Sequence, residues 1–358
     1  MTNPTSGGEQ QSASPVAAAT PLSVAALEER LSAPSPEVIA ALRSCPGDVI
    51  VLGAGGKMGP SLVRMVRRAA VALGDGRRVM AVARWSNAEA RALLDAAGVT
   101  TIAADLEDRA AVAALPDAAN VIYMAGQKFG TTDRPERTWS LNTVVPAICA
   151  ERYVAARWVA FSTGNVYALS PVAGPHAREG DVLAPVGAYA ESCVERERVL
   201  GAASHAHGTR MAIVRLNYAV DLRYGVLVDI ARRVRDGEPV HVAMGHVNVI
   251  WQGDANAMAI RLLAHVASPP LVVNVTGPER LAVRELAEHA GARFGIATRI
   301  EGAESADSLL SDTSRMQALL GAPAVNARTL MEWVCSWLER RMPLLGKPTQ
   351  FEARDGTF

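Results

Sequence analysis

The chain has 358 residues, enough for about two domains at roughly 150 residues each. Hydrophobic residues make up 49% and charged residues 20%, an ordinary globular mixture that excludes a fibrous repeat and a wholly disordered chain. Lysine plus arginine (36) balance aspartate plus glutamate (36), so the net field points to neither nucleic acid nor an acidic membrane surface.

Residues 1 to about 20 are rich in Ser, Thr, Ala, Pro and Gln and are expected to be disordered, because they cannot bury enough apolar area to offset chain entropy. They lack the basic start and continuous apolar core of a secretory signal. No apolar run approaches the ~20 residues of a membrane span. The four cysteines, Cys45, Cys149, Cys193 and Cys335, fit neither a disulfide framework nor zinc-ligand spacing and read as free thiols. No metal site is expected, the closest histidine pair, His205 and His207, being read as surface residues at a helix end. A cytoplasmic protein is expected.

A helical extension over residues 21–46 follows, with helices at Val24 to Leu31 and Pro36 to Leu42 capped by Ser23 and Ser35. From Asp48 short apolar runs alternate with amphipathic stretches, the pattern of βαβ units and a parallel sheet. Strands are predicted at 48–53, 78–83, 100–104, 120–125, 158–162 and 211–216. Leu62, Met65, Val66, Ala69, Ala70 and Leu73 lie at helical spacing after the first strand. The expected fold is an α/β, Rossmann-type doubly wound parallel sheet over residues 47–215, including a catalytic helix at 187–204. A smaller α/β substrate-binding domain mainly over 216–345 and a tail at 346–358 complete it. Arg232, Arg233 and Arg235 read as a solvated helix face.

The turn Gly53-Ala54-Gly55-Gly56-Lys57-Met58-Gly59 leaves the first strand and enters the first helix of that series. Missing side chains let backbone approach a pyrophosphate, and the amides at the positive helix end stabilise its charge. A dinucleotide is therefore expected here. The second strand ends Val82-Ala83-Arg84-Trp85-Ser86 with no carboxylate for the ribose hydroxyls, while Arg84 and Lys57 are cationic. NADP is expected over NAD, the arginine accommodating a 2′-phosphate.

Several motifs in order make the chain resemble the extended short-chain dehydrogenase/reductase family, the NAD-dependent epimerase/dehydratase group, over roughly residues 48 to 340. Gly53, Gly56 and Gly59 fit its cofactor turn, Asp105-Leu106 its acid near the adenine, Ala125-Gly126 the loop after the fourth strand, and Asn142 a supporting helix position. Phe161 to Tyr167 fits the catalytic hydroxyl strand, with Thr163 at the Ser/Thr position, and Tyr189 fits the catalytic tyrosine. Arg215-Leu216-Asn217, the run ending in Asp254, and Asn274 to Gly277 continue the match. The resemblance implies an NAD(P)-dependent epimerase or oxidoreductase acting on a secondary alcohol of a sugar or sugar acid, and a homodimer. Tyr189 would be the general acid/base and Thr163 the donor to the developing oxyanion.

Three departures accompany it. The family's Tyr-x-x-x-Lys becomes Tyr189-x-x-x-Cys193, so the cation that would lower the tyrosine's pKa from near 10 is missing. Lys128, just past the fourth strand, and Arg196, seven residues along the same helix face across a ~10 Å rise, are the candidate substitutes. A catalytically impaired dinucleotide sensor is the alternative. Thr163 is followed by Gly164-Asn165 rather than the Asp-Glu of 4,6-dehydratases, which disfavours elimination. Val247 stands where nucleotide-sugar members carry a diphosphate-binding arginine, which disfavours a nucleotide-sugar 4-epimerase.

Overall fold

The computed structural model describes residues 19–126, 135–347 and 349–356; the side chains of Pro135 and Arg137 lie outside that description. The reading of residues 1 to about 20 falls almost wholly outside it, as does Lys128.

Seven parallel strands form the central sheet: β1 (Val49–Leu52), β2 (Val79–Ala83), β3 (Thr100–Ala103), β4 (Asn120–Tyr123), β5 (Arg157–Thr163), β6 (Met211–Leu216) and β7 (Leu271–Val275). Their spatial order is 7-6-5-4-1-2-3, so the chain runs outward from β1 in one direction and then restarts at β4 in the other. This is the doubly wound arrangement, with its switch point between β1 and β4. The register pairs Val51 with Ala81 on one side and with Ile122 on the other. Each strand predicted from sequence is present with ends shifted by at most two residues, but no strand is read at β7, which lies in the range assigned mainly to the substrate-binding domain. It pairs with β6 from Leu271 opposite Ala212 to Val275 opposite Leu216, so the sheet takes a strand from beyond residue 215.

Successive strand residues point to opposite faces, and both faces are covered. Among the described residues the α-helices of eight or more residues are α1 (Val24–Leu31), α2 (Pro36–Ser44), α3 (Gly59–Leu73), α4 (Ala88–Ala96), α5 (Val145–Arg152), α6 (Ala188–His207), α7 (Val226–Arg235), α8 (Gln252–Arg261), α9 (Val283–Phe294) and α10 (Ala327–Glu339). Val49 and Val51 pack with α2, α3 and α8 in one core, through Leu42, Leu62, Val66 and Met258. Ile50 and Leu52 face α5 and the chain around it, through Val145, Ile148 and Tyr153. Truncating a fully buried leucine such as Leu52 to alanine costs about 2 to 5 kcal/mol.

A third core joins α7, α9 and α10 with Trp251, Trp333 and Trp337. Leu27 and Leu31 of α1 enter that core while Val38 and Leu42 of α2 enter the first, so the N-terminal extension ties the two together. Its caps are those expected: Ser23 accepts from the Ala26 amide at 3.1 Å and Ser35 from Val38 at 3.4 Å. All four cysteines are buried, and none is in a disulfide. His205 and His207 are exposed, and no described group of three or more His, Cys, Asp or Glu side chains could hold a metal. No described helix is long and apolar enough to cross a membrane.

Candidate active site

The glycine turn lies at the carboxyl end of β1, and each of its three spaced glycines has a different physical reason. Gly53 has φ +85°, and a Cβ there would lie 2.6 Å from the Ala125 Cα, so β4's following loop closes directly over it. At Gly59 a Cβ would lie 2.6 Å from the Ala54 carbonyl carbon, which is what lets α3 pack tightly on the strand end. Gly56 differs. Its nearest neighbour would be the Gly53 carbonyl oxygen at 3.8 Å, so the missing side chain leaves an open approach to backbone. No side chain caps α3 at Met58, Pro60 carries no N–H, and the Gly59 amide donates to the Gly56 carbonyl at 3.1 Å, so what α3 directs at that approach is chiefly its positive end. The residues fit a dinucleotide pyrophosphate.

At the β2 end, Arg84 is exposed and forms no ion pair among the described residues. Trp85 beside it has φ +52°, an uncommon backbone conformation for a bulky side chain, and its indole donates to the Ile102 carbonyl at 2.9 Å. Past β3, Leu106 is buried and Asp105 is exposed, its Oδ1 accepting from the Glu107 amide at 3.1 Å. Lys57 departs from expectation. Its Nζ donates to the Ala219 carbonyl at 3.4 Å and stands 3.9 Å from the centre of the Tyr224 ring. Those residues follow β6, across β1 from β2, so the cation–π and carbonyl contacts hold the ammonium on the side of β1 away from β2. Arg84 is left as the cation of the β2 end.

The chemical centre lies where β5, α6 and the chain before α5 meet. Thr163 ends β5, is buried, and accepts from the Asn165 amide at 3.2 Å in the tight turn that follows. It shares a hydrogen bond with the Tyr189 hydroxyl, and Cys193, fully buried one turn along α6, shares another. Burial pushes the Tyr189 phenol well above its ordinary range, Cys193 adds to that, and Arg196 and Thr163 oppose it. Asn142 sits in a single π turn, Ser140–Val144, a distortion often found at functional sites. Its Nδ2 donates to the Ser192 Oγ at 2.7 Å, and that hydroxyl donates to the Tyr189 carbonyl at 2.8 Å.

Arg196, one of the two candidate substitutes for the lysine, lies in this centre. One arm donates to the Phe161 carbonyl at 2.9 Å and the other to the Asn142 Oδ1. A Cβ on Gly126 would lie 3.2 Å from its guanidinium carbon and 3.0 Å from Asn142 Oδ1, so a side chain there would push the Arg196 arm aside. Arg196 is 6% exposed, has no carboxylate within ion-pair distance among the described residues, and its Nε has no hydrogen-bond partner there. Burial works against its charge, but Cys193, Tyr123, Tyr189 and Glu197 around it outweigh that, so its pKa moves up rather than down. A helix leans its side chains toward its N-terminus, which shortens the reach the ~10 Å rise suggested.

A second layer supports the floor; the sequence named Arg215 and Asn217 of it, without a role, and did not single out Glu197, Ser162 or Asn248. Arg215 of β6 holds Glu197 through its Nε and Nη2, the latter at 2.6 Å, and donates to the Tyr167 hydroxyl at 2.7 Å. Glu197 in turn accepts from Ser162, next to Thr163. Asn217 packs against Gly164 and donates to Asn248 at 3.0 Å. Val247 is wholly buried in the third core. The Arg232 to Arg235 face is paired with Asp236, Glu238 and Glu352.

A doubly wound sheet with an open glycine turn at its switch point and a tyrosine–threonine pair beside it defines a dinucleotide-dependent α/β enzyme. The chain belongs to the NAD dependent epimerase/dehydratase family, whose family model matches residues 49–256. Among solved structures it is similar to MoeE5 in complex with UDP-glucuronic acid and NAD, at 21% identity and TM-score 0.66, over 83% of this chain and 100% of that one. It is similar to the UDP-Glc/GlcNAc 4-epimerase of Campylobacter jejuni, at 21% identity and TM-score 0.67, over 83% and 99%. DesIV, a dTDP-glucose 4,6-dehydratase of Streptomyces venezuelae, is similar at 19% identity and TM-score 0.68, over 82% and 98%. These likenesses concern the fold. No curated protein matches the sequence significantly.

Proposed function

We propose that this protein is an NAD(P)-dependent epimerase or oxidoreductase acting on a secondary alcohol of a sugar or sugar acid that carries no nucleotide. The observation that carries the reading is the meeting of Tyr189, Thr163 and Arg196 at the carboxyl edge of the sheet. The turn at Gly53, Gly56 and Gly59, with Asp105 and Arg84 on the adenosine side, would hold the dinucleotide, which supplies the hydride acceptor or donor when bound. Tyr189 exchanges the proton of the substrate hydroxyl, and Thr163 fixes the position of its oxygen. Arg196 holds a buried positive charge that favours the phenolate, the task of the absent lysine. The burial of Val247 supports a substrate without a diphosphate, and the unpaired Arg84 supports NADP over NAD.

The test is turnover on a panel of sugars, polyols and sugar acids with either cofactor. Tyr189→Phe lowers the rate by a hundredfold or more, roughly the contribution of general acid–base catalysis. Full turnover by that variant removes the assignment. The upward push of burial on Tyr189 favours a second reading, a dinucleotide binder without catalysis. Tight cofactor binding with no turnover across the panel supports that reading instead.

A further inference from the structure

The helix that carries Tyr189 begins without a side-chain cap: α6 starts after Gly187, whose carbonyl accepts the first helical bond, from Glu191, at 3.1 Å. Another segment of chain packs on this start. Gly356 lies against Val186 and Gly187 so closely that a Cβ on Gly187 would stand 2.6 Å from the Gly356 carbonyl oxygen. A Cβ on Gly356 would stand 2.6 Å from the Val186 carbonyl carbon. Backbone meets backbone, so neither side can yield by turning a rotamer.

The segment that delivers Gly356 is anchored along its length in the substrate-side core. Both the amide and the hydroxyl of Thr349 donate to Asp229 Oδ2, at 2.7 and 2.6 Å. Phe351 is 2% exposed in the third core. Glu352 faces Arg233 at 2.6 Å. Arg354 donates to the Ala243 carbonyl at 3.3 Å and to the Asp307 carbonyl at 3.0 Å, and pairs with the Asp307 carboxylate. Residues 349–356 thus run from α7, past Ala243 and Asp307, to the first turn of α6.

We propose that residues 349–356 are a positioning strap: anchored on the substrate-side core, the strap latches the start of the catalytic helix through the Gly187–Gly356 contact and so holds Tyr189 in register with Thr163. Tyr189 is two residues from the latch, at most about 7 Å of chain. Displacing Gly356 frees the turn that carries the phenol and lets water reach it. The consequence for turnover rests on the catalytic reading of Tyr189; the latch itself does not.

The test compares hydrogen exchange and tyrosine titration in the full chain and two variants. Gly356→Ala puts a Cβ into the Val186 carbonyl, and the double substitution Thr349→Ala/Arg354→Ala removes the side-chain anchors while leaving Gly356 intact. In both, the amides of Glu191 to Cys193 exchange at least about tenfold faster, whereas those of α3 are unchanged. The absorbance titration of Tyr189, isolated by subtracting Tyr189→Phe in the same background, moves down toward the ordinary value near 10. Unchanged exchange at Glu191 to Cys193 in both variants overturns the proposal, as does loosening that reaches α3 equally or a Tyr189 titration that does not move. A wild-type protein without turnover would sink the catalytic reading and leave these measurements intact.

Discussion

Asp254 offers a perturbation whose size and sign follow from its surroundings. It lies in the first turn of α8, the helix that packs against α2 and α3 behind the dinucleotide turn. Burial raises its carboxyl to about 6 from an ordinary 3.8, against the backbone bonds from Val325 and Ala324 and the more distant Arg30. The folded state therefore holds the proton more tightly than the unfolded chain. Stability from this group is full below pH 3.8 and is lost as pH rises toward 6, so ionisation costs the fold about 3 kcal/mol at neutral pH, from roughly 1.4 kcal/mol per unit. Asn at this position keeps an oxygen for the Val325 amide, which Asp254 Oδ2 accepts at 2.8 Å, and removes the titration. Denaturant unfolding of Asp254→Asn and wild type from pH 4 to 8 is expected to show curves that separate as pH rises, the variant gaining up to about 3 kcal/mol by pH 8. Parallel curves would refute the reasoning.

Arg196→Leu removes the buried charge facing Tyr189, so turnover falls by roughly a hundredfold while dinucleotide affinity in calorimetry stays within a few fold; equal turnover would exclude Arg196 as the lysine's replacement. Arg84→Ala weakens NADP by about tenfold, or about 1.4 kcal/mol, and leaves NAD unchanged. An equal loss for both cofactors, or for neither, contradicts a 2′-phosphate contact at the β2 end.

The parts of the fold legible in the sequence are those whose local pattern is also their tertiary role. Val49 to Leu52 is buried on both faces and reads as an unbroken apolar run, and α3 declares its buried face through Leu62, Met65, Val66 and Ala69. β7 was not read as a strand because Leu271 to Val275 follows a stretch of short elements, and only its pairing with β6 assigns it to the sheet. The site was legible through spacing: the glycines, Thr163 and Tyr189 are where the motifs put them. Arg196 was underweighted because rise along a helix axis says nothing of a long side chain drawn to the Phe161 carbonyl and Asn142. The contacts of Lys57 were not legible, because Tyr224 and Ala219, which hold its ammonium, lie more than 160 residues away. The strap left no sequence signal beyond a glycine, since its meaning lies in Gly187 on the other side of the contact.

Backbone at Gly56 stands open to a pyrophosphate, and a Cβ there meets nothing closer than the Gly53 oxygen at 3.8 Å, so a side chain that blocks the ligand can start from this position without a clash. Calorimetric titration of wild type and Gly56→Leu with NADP and NAD is the most direct measurement. Binding by the wild type and its loss in a variant with an unchanged unfolding curve is the expected result. No binding by the wild type, or undiminished binding by Gly56→Leu, would contradict it.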